Sequence, residues 1–397
     1  MSRIDDLVTE LCPDGVEHVA LGELLDYEQP TRYLVASTDY SDDYATPVLT
    51  AGQSFVLGRT NESHGIYRAS PAAPVIIFDD FTTAFRWVDF PFKAKSSAMK
   101  MLKLKPDAPA SFRYVFYAML TIGFAPQEHA RHWIGRYSEF RVPLPPLPVQ
   151  LEIVRLLDSF TDLEAELESE LEARRKQYAH YRDALLSFRE SGEVRWVPMG
   201  ELGSMFGGLT GKSKADFIDG NARFVSYVNV FNNSATNLLD GARVRVRPAE
   251  RQRTLIRGDL LLTGSSESAA EVAMSSVLLD DPTEATYLNS FSIGFRFHDS
   301  ASFRPSFLRY LFRATVMREQ LVRTASGVTR FNVSKARLAK VLVPQVALDE
   351  QERIVGILDT FDALVNDPSV GLPAELAARR TQYEYYRDRL LTFDEVA

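Results

Sequence analysis

The chain has one cysteine, Cys12, in 397 residues. That scarcity excludes an intrachain disulfide framework and any zinc site built on several cysteines. No stretch approaches the roughly 18 consecutive apolar residues of a membrane helix. The N-terminal residues carry Asp5, Asp6 and Glu10 and no apolar core, so they do not read as a signal peptide. These absences predict a cytoplasmic protein with no membrane association.

Catalytic signatures are also missing. GLTGKS (208–213) has the ending of a phosphate-binding loop, but the position that needs its first glycine holds Phe206. Of the six histidines, His129 and His132 are close in sequence, yet no acidic or cysteine ligands accompany them. There is no G-x-S-x-G elbow, no G-x-G-x-x-G after a strand, and no Asn/Asp-Pro-Pro-aromatic motif. Asp79 and Asp80 follow the apolar run VIIF and mimic a nuclease carboxylate pair. No E-x-K follows them closely, so a strand-end turn is the expectation. No catalytic residue and no metal ligand is assigned. The reading is a protein that binds and positions while partners do the chemistry.

What the sequence does contain is a duplication. ELEARRKQYAHYRDALLSF (170–188) returns as ELAARRTQYEYYRDRLLTF (375–393), and IVRLLDSFTDL (153–163) returns as IVGILDTFDAL (354–364). VALGEL (19–24) is echoed by VPMGEL (197–202). The order is variable region, tail, variable region, tail. The expected segments are 1–149, 150–188, 189–346 and 347–397.

The tails read as helices. Apolar and aromatic residues recur at steps of three and four, including Leu167, Leu171, Tyr178, Tyr181 and Leu185. Pro143, Pro145, Pro146 and Pro148 are expected to stop before the first helix. Asp349 reads as the N-cap of the second, with Glu352 three residues on. Pro368, Gly371 and Pro373 predict a kink near 366–373. A helix over 150–188 is about 58 Å long at 1.5 Å per residue, so its seam needs another helix, and its twin is the natural partner. Domain termini usually lie close together, so the second helix is expected to run back antiparallel. The fold class is then α+β multidomain. Two mixed α/β domains are separated by two long antiparallel helices in a pseudo-two-fold, quasi-circular chain. Arg174, Tyr178, Tyr181 and Leu185, with Arg379, Tyr383, Tyr386 and Leu390 in the second tail, serve either helix pairing or subunit docking. The variable regions read as mixed α/β, with strands at 75–78, 242–247 and 259–264 and helices at 112–120 and 307–322.

The net charge of −8 argues against nucleic acid only until it is divided. The first tail holds five basic and nine acidic residues, and the second five and eleven. The second variable region holds twenty-one basic and fifteen acidic residues. Its candidates for DNA contact are Lys212, Ser213, Lys214, Asn229, Asn232, Asn233, Arg323, Thr329, Arg330 and Asn332. In the first variable region they are Lys93, Lys95, Lys100, Arg131, Arg136 and Tyr137. Side chains of these types clamp phosphates or read base edges. Arg243, Arg245 and Arg247 fit either a contact surface or the wet face of a strand.

The duplicated ARR-QY--YRD-LL-F tails, VPLPPLPVQLEIVRLLDSF and VPQVALDEQERIVGILDTF resemble the specificity (S) subunit of a type I restriction–modification system. GLTGKSKADFIDGNARFVSYVNVFNN and SGVTRFNVSKARLAKVLVP resemble its target-recognition domains. In the first region IGRYSEFRV stands as the counterpart of SGVTRFNVSK. The resemblance implies that each domain reads one half of a bipartite site in double-stranded DNA, with the gap set by the helical spacer. It implies two methyltransferase (M) subunits and restriction (R) subunits as partners. S-adenosylmethionine, ATP and Mg are then expected on those subunits and no cofactor on this chain. Two other readings stay open: a coiled-coil scaffold that joins proteins without touching DNA, and a self-contained enzyme using Asp79 and Asp80.

Overall fold

The computed structural model describes residues 3–52, 54–126, 130–188 and 194–396. The chain divides into two compact units. One comprises residues 1–167 and 376–397, the other residues 168–375.

The two units share one topology. The first carries an antiparallel sheet in the order Leu25–Glu28, Met99–Leu104, Val75–Asp79, Phe85–Val88. The second carries Gly203–Gly207, Ser292–Phe297, Leu260–Thr263, Ser275–Val277 in the same arrangement. Each has a small mixed sheet as well. Thr46–Leu49 pairs antiparallel with Val56–Thr60 and parallel with Lys93–Ala94. Ala222–Val225 does the same with Arg243–Val244 and Thr286–Leu288. The runs VIIF and LLL are apolar throughout because both faces of these central strands are covered. The sequence run 242–247 forms a strand only at Arg243–Val244, where Val244 turns inward and Arg243 outward.

The first long helix spans Leu147–Leu185. It begins earlier than the prolines suggested. Pro148 is its second residue, a position where no backbone N–H is needed. Val149, Ile153 and Leu157 are fully buried in the first unit's core with Tyr114, Val115 and Leu391. Burying such side chains stabilises by roughly 1.5–3 kcal/mol each. Further along, Leu185, Leu186 and Tyr178 pack into the second unit's core with Ile354 and Leu358.

The second tail forms two helices, Leu348–Asn366 and Gly371–Leu390. Its N-cap is Ala347, which offers no side-chain bond, so Asp349 is not the cap. Asp349 lies in the first turn, where its charge suits the helix dipole. The expected kink is a break. Asp367 accepts from the Ser369 N–H at 2.8 Å and from its hydroxyl at 2.6 Å. Gly371 then takes φ +73, where a Cβ would sit 2.5 Å from the Leu364 carbonyl oxygen.

Within each unit the helices pair antiparallel. In the first, Phe160 stacks on Tyr386 with centroids 5.5 Å apart, and Glu164 bonds Arg380 at 2.6 Å. In the second, Tyr181 meets Phe361 at 5.6 Å. Burial holds the Tyr178 hydroxyl well above the usual range, and Asp362 adds to this. Tyr383 and Leu390 pack on the first unit's core, and Leu171 is buried. Arg174 instead bonds Glu170 and Gln177 of its own helix, and Arg379 bonds Gln382. The sequence run 307–322 is two helices, Pro305–Leu311 and Thr315–Val322. The second starts on Asp183, which accepts from the Thr315 N–H at 3.1 Å and its hydroxyl at 2.6 Å.

Candidate nucleic-acid interface

In each unit a tyrosine of the domain helix reaches an aspartate of the spacer helix. Tyr117 donates to Asp158 at 2.5 Å, and Tyr310 to Asp359 at 2.6 Å. Arg113 adds a 2.8 Å bond to Asp158, and Arg309 a 2.7 Å bond to Asp359. Burial, reinforced by the aspartate, raises both tyrosine hydroxyls far beyond their ordinary range, so they remain protonated donors. None of these residues was singled out as a candidate. The available signal was the recurrence of Asp158 and Asp359 at the repeat interval.

The second unit has a concavity of about 530 Å³ lined by Tyr227, Phe231, Asn232, Ser265, Phe291 and Arg330, among others. Tyr227 and Phe231 stack, with planes 18° apart. Arg330 donates to the Ser265 hydroxyl at 3.3 Å from a hairpin, Ala325–Ser326 and Phe331–Val333. Asn332 is on the same hairpin and exposed, as is Thr329 at its turn. Arg323 is exposed just before it, at the end of Thr315–Val322. These residues, Asn232 included, are brought to one region.

Other candidates have structural roles. Lys212 is an internal cation: its ammonium bonds Glu250 and the Arg245 carbonyl, with its side chain 4% exposed. It ties the Gly-rich turn to the following strand and is not a phosphate contact. Ser213 forms a capping box with Asp216 at the start of the turn Lys214–Phe217, leaving Lys214 exposed. Asn229 is buried. Its amide donates to the Asn237 carbonyl at 2.8 Å, and its side-chain oxygen accepts the Asn237 N–H at 3.1 Å. Asn233 turns back onto the Asn229 carbonyl at 3.0 Å. Arg243 pairs with Glu284, and Arg245 with Asp219.

The first unit likewise holds several of its candidates inside the fold. Lys93 is 4% exposed and bonds Glu62 at 2.6 Å and the His64 carbonyl at 2.8 Å. Lys100 is 1% exposed and pairs with the equally buried Asp80 at 3.1 Å. Tyr137 sits in an aromatic cluster 4.8 Å from Phe78. These three are core residues, because each has a charged or aromatic partner inside the fold. Asp79 accepts the N–H groups of Phe81 and Thr82 at 2.9 Å, the strand-end turn expected for it. Lys95, Arg131 and Arg136 are exposed, with Lys95 bonded to the Tyr40 hydroxyl at 3.2 Å and Arg136 over the Phe124 ring. His129 lies outside the described residues. Among the described residues no group of three His, Cys, Asp or Glu side chains fits a metal ion.

Hydrogen bonding also moves the internal alignment. Val333 N–H bonds the Gly264 carbonyl at 2.9 Å, and His132 N–H bonds the Asp80 carbonyl at 2.8 Å, each just after the equivalent strand. Met199 pairs with Val341, and Leu21 with Phe140, at 2.8 and 2.9 Å. His132 therefore stands where Val333 does and Arg131 where Asn332 does, so IGRYSEFRV is not the counterpart of SGVTRFNVSK.

The family model described as the type I restriction modification DNA specificity domain matches residues 193–378. The type I restriction enzyme EcoR124I/EcoR124II specificity subunit of Escherichia coli is 41% identical over 428 aligned residues, covering 99% of this chain and 98% of that one. A putative type I specificity subunit of Haemophilus influenzae is 27% identical, covering 71% of this chain and 72% of its own. A structure from work on assembly and conformational transition of the type I R-M system matches at TM-score 0.57 and 16% identity, covering 96% and 98% of the two chains. The S subunit from M. genitalium matches at TM-score 0.51 and 14% identity, covering 94% and 96%. No helix among the described residues is long and apolar enough to cross a membrane.

Proposed function

The chain belongs to the family of type I restriction–modification specificity subunits, and from that premise we propose that its two units read the two halves of one gapped, asymmetric DNA site. It is the non-catalytic recognition component of such a system and works in a complex with other subunits. A scaffold that ignores DNA is not supported. The two recognition domains are assigned to residues 1–149 and 189–346, and the spacer segments to 150–188 and 347–397. Two methyltransferase subunits dock on this chain and supply S-adenosylmethionine chemistry. Restriction subunits add ATP- and Mg-dependent cleavage, and the complex acts in the cytoplasm.

The observation that carries this reading is the pair of topologically equal units, each fastened by the same Tyr–Asp bond to a spacer helix. Two copies of one fold with different exposed side chains suit two different half-sites. The DNA-facing candidates are Lys95, Arg131 and Arg136 in the first unit. In the second they are Lys214, Asn232, Arg323, Thr329, Arg330 and Asn332. Mobility shifts of the chain with a methyltransferase partner test the proposal. Affinity falls about 10³–10⁵-fold between ~50 and ~200 mM salt if six to ten phosphates are neutralised. Salt-insensitive binding contradicts it.

A further inference from the structure

Val328 is 91% exposed, the highest value for a large hydrophobic side chain among the described residues. A valine so placed adds nothing to the core, since apolar stabilisation needs area removed from water. It is nonetheless held on a braced hairpin. Ala325 pairs with Val333 and Ser326 with Asn332, and Ser266 pairs with Phe331 on the other side. Arg337 donates to the Ser326 hydroxyl at 2.7 Å. Gly327 takes φ +150, and a Cβ there would lie 1.9 Å from the Arg330 carbonyl oxygen, so only glycine permits this turn.

The charge around the hairpin favours bases over phosphates. Arg330 shares its concavity with Glu267 and Glu271. Two carboxylates beside one guanidinium repel a phosphate, whereas a base edge offers both donors and acceptors. Arg323 and Lys335, exposed at either end of the hairpin, are better placed to hold the backbone. Groove wedges that unstack bases are usually larger, such as Phe, Leu or Met. A valine matches the thymine methyl group displayed in the major groove.

We propose that the hairpin Ala325–Val333 is a major-groove reading head, with Val328 packed on a thymine methyl and Arg330 on the neighbouring base edge. This rests on the DNA-reading function proposed above. The test uses the complex of this chain with its methyltransferase subunits. Duplexes carry each thymine of the half-site read by residues 189–346 replaced singly by deoxyuridine, which lacks the methyl. At one position the replacement weakens binding about three- to fivefold. Val328→Ala abolishes that discrimination while its unfolding midpoint and assembly with the methyltransferase subunits stay unchanged. Tolerance of deoxyuridine at every position, a half-site without thymine, or undiminished discrimination in Val328→Ala overturns the proposal. So does loss of subunit assembly in Val328→Ala without DNA, which would make the tip a protein contact. Failure of the underlying function is distinguishable, because the unsubstituted duplex would then show no specific binding.

Discussion

Gln150 and Gln351 hold equivalent posts 201 residues apart in the sequence. Each is fully buried at the start of a spacer helix. The side-chain oxygen of Gln150 accepts the Ser111 N–H at 2.8 Å, and that of Gln351 accepts the Arg304 N–H at 2.8 Å. Their amides donate to the Pro145 and Val346 carbonyls at 2.7 and 2.8 Å. Ser111 and Arg304 are N-caps of the domain helices, so one glutamine fixes each domain helix to each spacer helix.

Replacing either glutamine by alanine strands buried backbone groups. Each unsatisfied group costs about 1–3 kcal/mol. For units of this size, 1 kcal/mol shifts the midpoint by roughly 2–4 °C. Gln150→Ala and Gln351→Ala are expected to lower the unfolding midpoint by roughly 2–12 °C each, measured by calorimetry. Unchanged midpoints would show that the bonds contribute nothing.

Arg330→Ala is expected to weaken recognition of one half-site only. The loss is about 1–3 kcal/mol, with relaxed base preference at one position. Competition with duplexes mutated in one half at a time reads this out. Equal losses in both halves would refute the assignment of Arg330 to a single half.

Lys95→Ala and Lys212→Met separate surface from core. Losing an exposed phosphate contact reduces the slope of binding against salt by about one, which is the expectation for Lys95→Ala. Lys212→Met leaves the slope intact and lowers thermal stability, because Glu250 loses its buried partner. A changed slope in Lys212→Met would return that lysine to the interface.

The bond from Lys93 holds the Glu62 carboxyl below its ordinary range, helped by the Ser37 and Ala36 N–H groups. A depressed carboxylate stabilises the fold above its unfolded value, about pH 4. That stabilisation is lost as pH falls through the lower folded value. Glu62→Gln is therefore expected to flatten the acid limb of the first unit's stability curve, followed by circular dichroism. An acid limb identical to wild type would remove Glu62 from the titration.

The duplication was legible by direct repetition, the antiparallel direction of the helices by chain connectivity, and the interruption of the second tail by Pro368, Gly371 and Pro373. Phe160, Tyr178, Tyr181 and Leu185 advertise a seam by spacing alone. Lys93, Lys100 and Lys212 were misread because their partners Glu62, Asp80 and Glu250 lie 20 to 38 residues away, and only the tertiary fold joins them. Asn229 looked like a base reader because a buried loop clamp and a base contact use the same amide. Gln150, Gln351, Asp158 and Asp359 were visible as polar identities within the repeat. Their role needed the domain helices, whose donors Arg113 and Arg309 sit at different places relative to Tyr117 and Tyr310. Val328 was invisible, since exposure has no sequence signature at a single valine.

The most direct measurement is methylation-sensitive sequencing of DNA from cells carrying this chain with the methyltransferase subunits proposed for it, compared with cells lacking only this chain. The expected result is a methylated motif in two defined parts separated by unread bases, present only with the chain, and altered in one part by Arg330→Ala. A contiguous motif, or methylation that persists without the chain, would contradict it.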